Sequence, residues 1–249
     1  MMPEIQLQSD LLEYIIRHQF SPGDRLPTIN ELQAPEHLGI SISKVREQLE
    51  VARMLGIVEV RSKTGMRMKA YSFTPAVRLS LFLALALDPH NFELFSELRN
   101  HVEAAFWNEA CKVLEEEDKA VMRACVESAR AKLNGDHHSG HIRIPNEEHR
   151  TFHLTVFKRL ANPFVMGILE AYWEAYNAFE LNRYSDYAYL QEVWTYHERI
   201  LDAICAGEYD LAREIFIEHT RLLHHQPRMQ TMGQSVAVPA EDELIEGAV

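Results

Sequence analysis

The sequence predicts a mostly α chain, with an N-terminal winged helix-turn-helix followed by an all-α antiparallel helical bundle. Three observations lead there. Three short capped helical patterns precede an alternating hairpin pattern within residues 1–70. Every periodic stretch from about 78 to 226 has helical spacing. Four histidines in that second region fall on apolar helix faces, where a bundle would bring them together.

The elements follow in order. Residues 9–20, SDLLEYIIRHQF, carry Leu11, Leu12, Ile15 and Ile16 on one side, with Ser9 as N-cap. SPGDRLP ends that helix with Pro22, Gly23 and Pro27. Thr28 caps a second helix, and Glu31 three residues on completes a capping box. LGIS at 38–41 turns the chain, Ser41 caps a third helix over roughly 42–55, and Gly56 stops it. IVEVRSKTGMRMKAY then alternates around Thr64-Gly65, the mark of a short hairpin. Residues 71–77 read as a linker. The bundle, 78–228, is expected to hold about six helices, with a loop at 134–145 and a tail at 229–249 that has no stable period.

At 249 residues and 47% hydrophobic content, the chain has length and apolar mass for two domains. No apolar run is long enough to span a bilayer, LFLALAL at 81–87 included. MMPEIQLQSD lacks a basic stretch followed by an apolar one, and Cys111, Cys125 and Cys205 form no CxxC pair. The expected location is the cytoplasm, with no membrane partner. The net charge is −12, yet residues 1–70 are neutral, with nine Lys+Arg against nine Asp+Glu. Within 41–69 seven basic residues face three acidic ones. An acidic body with a small head bearing a basic stretch is the asymmetry of a regulator, although a basic stretch is more often only a solvated face.

The histidines carry the chemistry. His149 and His153 are four residues apart and share a helix face. His197 lies with Ile200, Leu201 and Ile204; His219 lies with Ile215, Phe216, Leu222 and Leu223. Any one of them alone reads as a satisfied core histidine. Four imidazoles from three helices make a plausible shell for one divalent metal. HHSGH at 137–141 and His224-His225 also look metal-like, but they fall in loop or helix-end surroundings without converging partners. Tyr172, Trp173 and Asn177 either line a pocket or belong to the core. A catalytic metal would want a base such as the Glu of an HExxH helix, and HRTFH has Arg150 and Thr151 there instead. Glu198, next to His197, points away. The chain is therefore expected not to be an enzyme.

PGDRLP, LGIS, SKVREQLEVARMLGIVEV and the hairpin RSKTGM together resemble the head of the GntR family of bacterial transcription regulators. ELRNHVE at 97–103, HRTFH at 149–153, Asn162-Pro163 and HERILDAICAGEYDLAREIFIEH at 197–219 resemble the ligand-binding domain of its FCD branch. The resemblance covers about 9–225. It implies a homodimer that binds double-stranded operator DNA and a small carboxylate effector, such as a sugar acid or hydroxy acid. It also implies a metal held by an Asp and three His, with the Asp four residues before the first His. Here that place is taken by His149. A shell of His149, His153, His197 and His219 exchanges a charged oxygen for a neutral nitrogen, which favours Zn, or else Ni, over Mg or Mn. Arg99 corresponds to the family's ligand-facing arginine; otherwise it pairs with Glu103, four residues on.

The resemblance also implies DNA contacts from Arg25, Thr28, Asn30, Ser41, Ser43, Lys44 and Arg46, and from Arg61, Lys63, Thr64 and Gly65 on the wing. Relatives often place arginines where this chain has Asn30 and Ile42, so the bases read should differ, and Lys44, Arg46 and the wing should hold mainly phosphate. Arg46 could instead pair with Glu50 on its own helix. ELQAPEHLG runs about two residues long, with Pro35 inside it, so the second helix or its turn should be irregular. Two other readings remain open: a regulator without metal that takes a more apolar effector such as an acyl thioester, and, more remotely, a metal-dependent enzyme acting on small carboxylates.

Overall fold

The computed structural model describes residues 6–61, 65–134, 144–179 and 187–222. The head holds α1 (Asp10–Arg17), α2 (Ile29–Gln33), α3 (Ile42–Met54), β1 (Val58–Arg61) and β2 (Gly65–Met68). The three N-caps act as their sequences require. Ser9 accepts from the Leu12 amide, Ser41 accepts from the Lys44 amide, and Thr28 and Glu31 satisfy each other's backbone amides in a capping box. α1 stops at Arg17, short of the expected residue 20, and Gln19 takes a positive φ of 53°. α2 ends after five residues, because Ala34 is extended (ψ 145°) ahead of Pro35. The extra turn that follows is braced on α1, where Tyr14 Oη meets His37 Nδ1 at 2.9 Å.

β1 and β2 pair antiparallel with Val58 opposite Met68 and Val60 opposite Met66, and Arg25 adds an isolated bridge to Arg67. Leu11, Ile15, Leu32, Val45, Leu49, Val58 and Met66 close the core of the head. Helices and hairpin thus share one apolar centre, which is what makes a winged helix-turn-helix.

The body holds α4 (Thr74–Leu87), α5 (Asn91–Lys112), α6 (Glu116–Asn134), α7 (Asn146–Phe157), α8 (Pro163–Ala178), α9 (Tyr187–Ala206) and α10 (Tyr209–Leu222). Two expectations need correction here. The helix α4 begins at Thr74, inside the segment 71–77 read as linker, and it brings the described helices of the body to seven rather than six. The tail at 229–249, the end of the body at 228, most of the loop at 134–145, and the motifs HHSGH and His224-His225 lie outside the described residues.

Five helices form a closed ring in which α5 packs on α7, α7 on α6, α6 on α9, α9 on α10, and α10 back on α5. Trp107, Trp194, Phe152, Phe157, Phe216, Met122 and Ile200 fill it, with Trp107 and Phe216 stacked at 4.6 Å. Buried Asp118 on α6 is held by Lys158 and Arg159, just beyond the end of α7, and this fastens one edge of the ring. Desolvation pushes the Asp118 carboxyl up, but the two cations more than offset it and leave it at about 2.

Of the two remaining body helices, α8 caps the ring by packing on α5 and α7, and α4 packs on α8. Leu81 and Leu85 of α4 join Phe92, Tyr172 and Trp173 in a second cluster. Glycine makes two of these approaches possible. A Cβ on Gly167 would lie 2.7 Å from Phe73 Cβ and 2.9 Å from the Thr74 backbone nitrogen, and one on Gly56 would lie 2.6 Å from Pro75 Cγ. Gly56 also has φ +70°, a left-handed value that side chains resist. The head therefore abuts the start of α4, and the start of α4 abuts α8. Replacing Gly167 with Ala should force α4 off α8 at a cost of about 1–3 kcal/mol, as overpacking usually does. The expected result is a melting temperature lower by roughly 2–10 °C in a circular dichroism melt; an unchanged melt would show that this contact has slack.

Candidate metal centre and nucleic-acid interface

Each of the four histidines is placed by the helix that carries it. The i,i+4 pair His149 and His153 lies along the inner face of α7, with ring centroids 5.0 Å apart and the rings tilted at 59°. α9 presents His197 from the row that also buries Val193, Ile200 and Leu201, and α10 presents His219 beside buried Ile215 and Phe216. One potential ligand atom from each ring lies within 4.8 Å of the others. Zinc–imidazole bonds run about 2.0–2.1 Å, so the donors of a tetrahedral site sit about 3.4 Å apart, and the widest pair of rings would have to close by up to about 1.4 Å.

The hydrogen bonding of the rings fits a cation. His197 Nδ1 lies 2.7 Å from the Val193 carbonyl, which can only accept, so the proton sits on Nδ1 and Nε2 carries a lone pair. That Nε2 is 3.1 Å from Nε2 of His153. His149 Nε2 and His219 Nδ1 are buried without a hydrogen-bond partner, although His149 as a whole residue is only half-buried. Buried polar nitrogens without partners are costly, and an ion would satisfy them. His153, His197 and His219 are at most 2% exposed.

Electrostatics keep the rings neutral. Desolvation pushes all four imidazoles below their usual range, His197 to about 4, and the nearby Arg99 charge adds to the effect on each. Neutral imidazole is the form that binds metal. Tyr172 and Trp173 stand beside this centre: the Arg99 guanidinium lies 4.6 Å from the Tyr172 ring centroid, and Trp173 is 4.7 Å from the His149 ring.

Arg99 reaches the centre, but in company. Its Nε pairs with Glu103 Oε2 at 2.8 Å, Nη1 donates to Asn100 at 3.1 Å, and Nη2 lies 2.9 Å from His153 Nδ1. The i,i+4 ion pair is thus formed, and Arg99 also faces the imidazoles. Sequence reasoning noted Glu103 only as that partner and missed its second contact, Oε1 to His153 Nδ1 at 3.2 Å. The available signal was its position four residues from Arg99 and from Trp107, on one helix face. Burial raises the Glu103 carboxyl to about 7 against the pull of Arg99.

On the head, Arg25, Thr28, Asn30, Ser41, Ser43, Lys44, Arg46 and Arg61 are all exposed, and Gly65 is partly so. Lys63 and Thr64 fall outside the described residues. Thr28 and Ser41 use their hydroxyls as caps, Lys44 pairs with Asp10 at 2.9 Å, and Arg61 pairs with Glu59 at 2.8 Å. These ion pairs are half-exposed and worth little, so a phosphate can displace them. Arg46 does not pair with Glu50, which Arg53 takes at 2.7 Å. The Arg25 side chain lies against Gly65, which joins the end of the first loop to the wing.

Comparison with known proteins places this architecture. The FCD domain model matches residues 94–222, more than half of the chain. The chain belongs to the FCD branch of the GntR family of transcription regulators. It is 23% identical over 210 residues to the HTH-type transcriptional regulator LutR of Bacillus subtilis (strain 168), covering 81% of this chain and 90% of that protein. Among solved structures, Streptococcus agalactiae GntR superposes with a TM-score of 0.57 at 19% identity, covering 86% of this chain and 94% of that one, which is a likeness of fold. No helix among the described residues is long and apolar enough to cross a membrane.

The buried rings predict how the metal-free FCD regulator responds to acid. Unfolded imidazoles take up protons near pH 6.5, whereas the folded ones resist until well below it. Between about pH 6.5 and 4 the unfolded state binds more protons, so stability falls as pH falls. Glu103 works the other way, since its folded carboxyl takes a proton from about pH 7 downward, but four rings outweigh one acid. Chelator-treated protein should therefore lose stability steadily as the pH falls across that window, read as a falling midpoint in urea unfolding. A flat profile would mean that the rings are solvated.

Proposed function

We propose that this FCD regulator binds operator DNA as a cytoplasmic homodimer and senses a small organic acid through a divalent metal held by His149, His153, His197 and His219. The convergence of four neutral imidazoles, three of them fully buried and two with unpartnered nitrogens, carries this reading. An all-nitrogen donor set favours zinc, with nickel next. When bound, the metal supplies an electrophilic point for an anionic oxygen. Arg99 supports an acid rather than an apolar thioester as effector, because it brings a second positive charge to the same place. Binding rather than turnover fits the surroundings: Glu103, the acid beside the cluster, is engaged by Arg99 and is poorly placed to serve as a base.

DNA contact is assigned to Arg25, Asn30, Ser43, Lys44, Arg46, Arg61 and Gly65, with Thr28 and Ser41 shaping the helix starts that face phosphate, and by sequence to Lys63 and Thr64, which lie outside the described residues. Two heads per dimer would match two half-sites about one DNA turn apart. Leu79, Leu83 and Leu87 form an exposed row on α4, joined by Leu94 and Leu98 of α5 beside a groove of about 510 Å³, and this is the surface we assign to the second copy.

α8 links the two functions in space. Trp173 touches His149 and His153, while Gly167 and Glu170 of the same helix hold Phe73 and Thr74 at the start of α4. Occupancy of the centre would bias head spacing along this route.

The reading is tested with tag-free protein, by elemental analysis and by titration of the DNA upstream of its own gene. Zinc at about one ion per chain is expected, lost in His197→Ala, together with a sequence-selective complex whose affinity drops steeply with salt. Absence of metal after incubation with zinc at neutral pH would discard the centre; absence of a selective complex at low salt would discard the DNA assignment. For the dimer, Leu83→Asp should shift light scattering to the monomer mass while leaving the helical signal intact, and persistence of the dimer would move the interface elsewhere.

A further inference from the structure

Two neighbours compete for one nitrogen. Arg99 Nη2 lies 2.9 Å from His153 Nδ1, and Glu103 Oε1 lies 3.2 Å from the same atom. A guanidinium N–H only donates and an ionised carboxylate only accepts, so Nδ1 offers either a lone pair to Arg99 or a proton to Glu103. The choice fixes what the other end of the ring can do. Nε2 of His153 points at Nε2 of His197, 3.1 Å away, and Val193 has already committed that second nitrogen to a lone pair. With its proton on Nε2, His153 would spend that end on a hydrogen bond to His197. With its proton on Nδ1, it presents a second lone pair to the same point.

We propose that Glu103 is the positioning residue of the metal centre: it accepts the Nδ1–H of His153 and thereby commits Nε2 to the ion. This rests on the metal reading above and adds a residue to it. Three features suit Glu103 to the task. It is fully buried, so water does not compete for Oε1; its other oxygen lies 2.8 Å from Arg99 Nε as an ion pair without hydrogen-bond alignment; and it approaches from α5, a different helix from the three that carry the imidazoles. Carboxylates in this position orient metal-binding histidines and strengthen them as donors. Arg99 gains a role from the same arrangement. Once Nδ1 is a donor, Nη2 loses its acceptor and faces the cluster with a free N–H, while Nε stays on Glu103 and Nη1 on Asn100. A free donor beside an electrophile is what a carboxylate oxygen needs.

The test uses the full chain with ¹⁵N-labelled histidine, loaded with zinc, and a chelator-competition measurement of zinc affinity. His153 should carry its proton on Nδ1, and Glu103→Gln should bind zinc about 10–100-fold more weakly, with Glu103→Asp recovering part of the loss. A merely structural role for Glu103 would alter the melt and leave the His153 tautomer where it was. A proton on Nε2 of His153 in the zinc-loaded wild type, or a Glu103→Gln affinity within about two-fold of wild type, would overturn the assignment. Should Glu103→Gln fail to fold, the tautomer in the wild-type chain decides alone. Failure of the wild type itself to take up zinc would end the metal reading and this one together, whereas uptake with unaltered affinity in Glu103→Gln would end only this one.

Discussion

Four imidazoles and a guanidinium crowd into one largely buried space, and that crowding governs the rest of the body. A proton added to any ring would put a second cation beside Arg99 with no water to screen it, so the rings stay neutral. Neutral rings must place lone pairs as well as protons, and each lone pair wants a partner. Val193 resolves the question for His197, and Glu103 bears on it for His153. His149 Nε2 and His219 Nδ1 are left over, without a hydrogen-bond partner among the described residues.

This constraint shows in the architecture. Five helices close around a largely apolar filling, and the polar cluster draws on three of them. The counter-charge comes from a fourth, α5, as a buried pair that would be destabilising by about 3–5 kcal/mol if either partner were removed alone. The fifth, α6, is fastened to the end of α7 through Asp118, which steadies the helix bearing two of the four rings. α8 lies over α5 and α7, presents Trp173 to the same rings, and holds the start of α4, the body helix that abuts the head.

Much of this was legible in the sequence, because its signals were local. Ser9, Thr28, Ser41 and Gly56 mark helix ends through backbone chemistry that needs no tertiary context, and the alternation around Thr64-Gly65 marks the hairpin. The histidines were legible because helical spacing assigns them to apolar faces. The start of α4 was not. TPAVRLSLFLALAL has no polar side, since Leu81 and Leu85 pack inward while Leu79, Leu83 and Leu87 remain on the surface, so there was no amphipathic stripe to read. Pro75 and the preceding aromatics looked like linker and turned out to be a helix start wedged between two glycines far apart in sequence. The contact between Glu103 and His153 spans 50 residues, and no spacing rule reaches that far. The surface pairs of Lys44 and Arg61 were equally invisible, since they depend on where Asp10 and Glu59 happen to point.

The resemblance to the FCD branch implies an aspartate where this chain has His149, and the genetic code makes the two near neighbours, since histidine and aspartate codons differ only in their first base. A lineage could therefore pass between an all-nitrogen shell and one with an oxygen donor by a single nucleotide exchange, without disturbing the helix that presents it. The choice of ion at the proposed centre would then be among the most easily altered traits of the chain, free to follow the metal supply of a new habitat while the grip on DNA stays as it was.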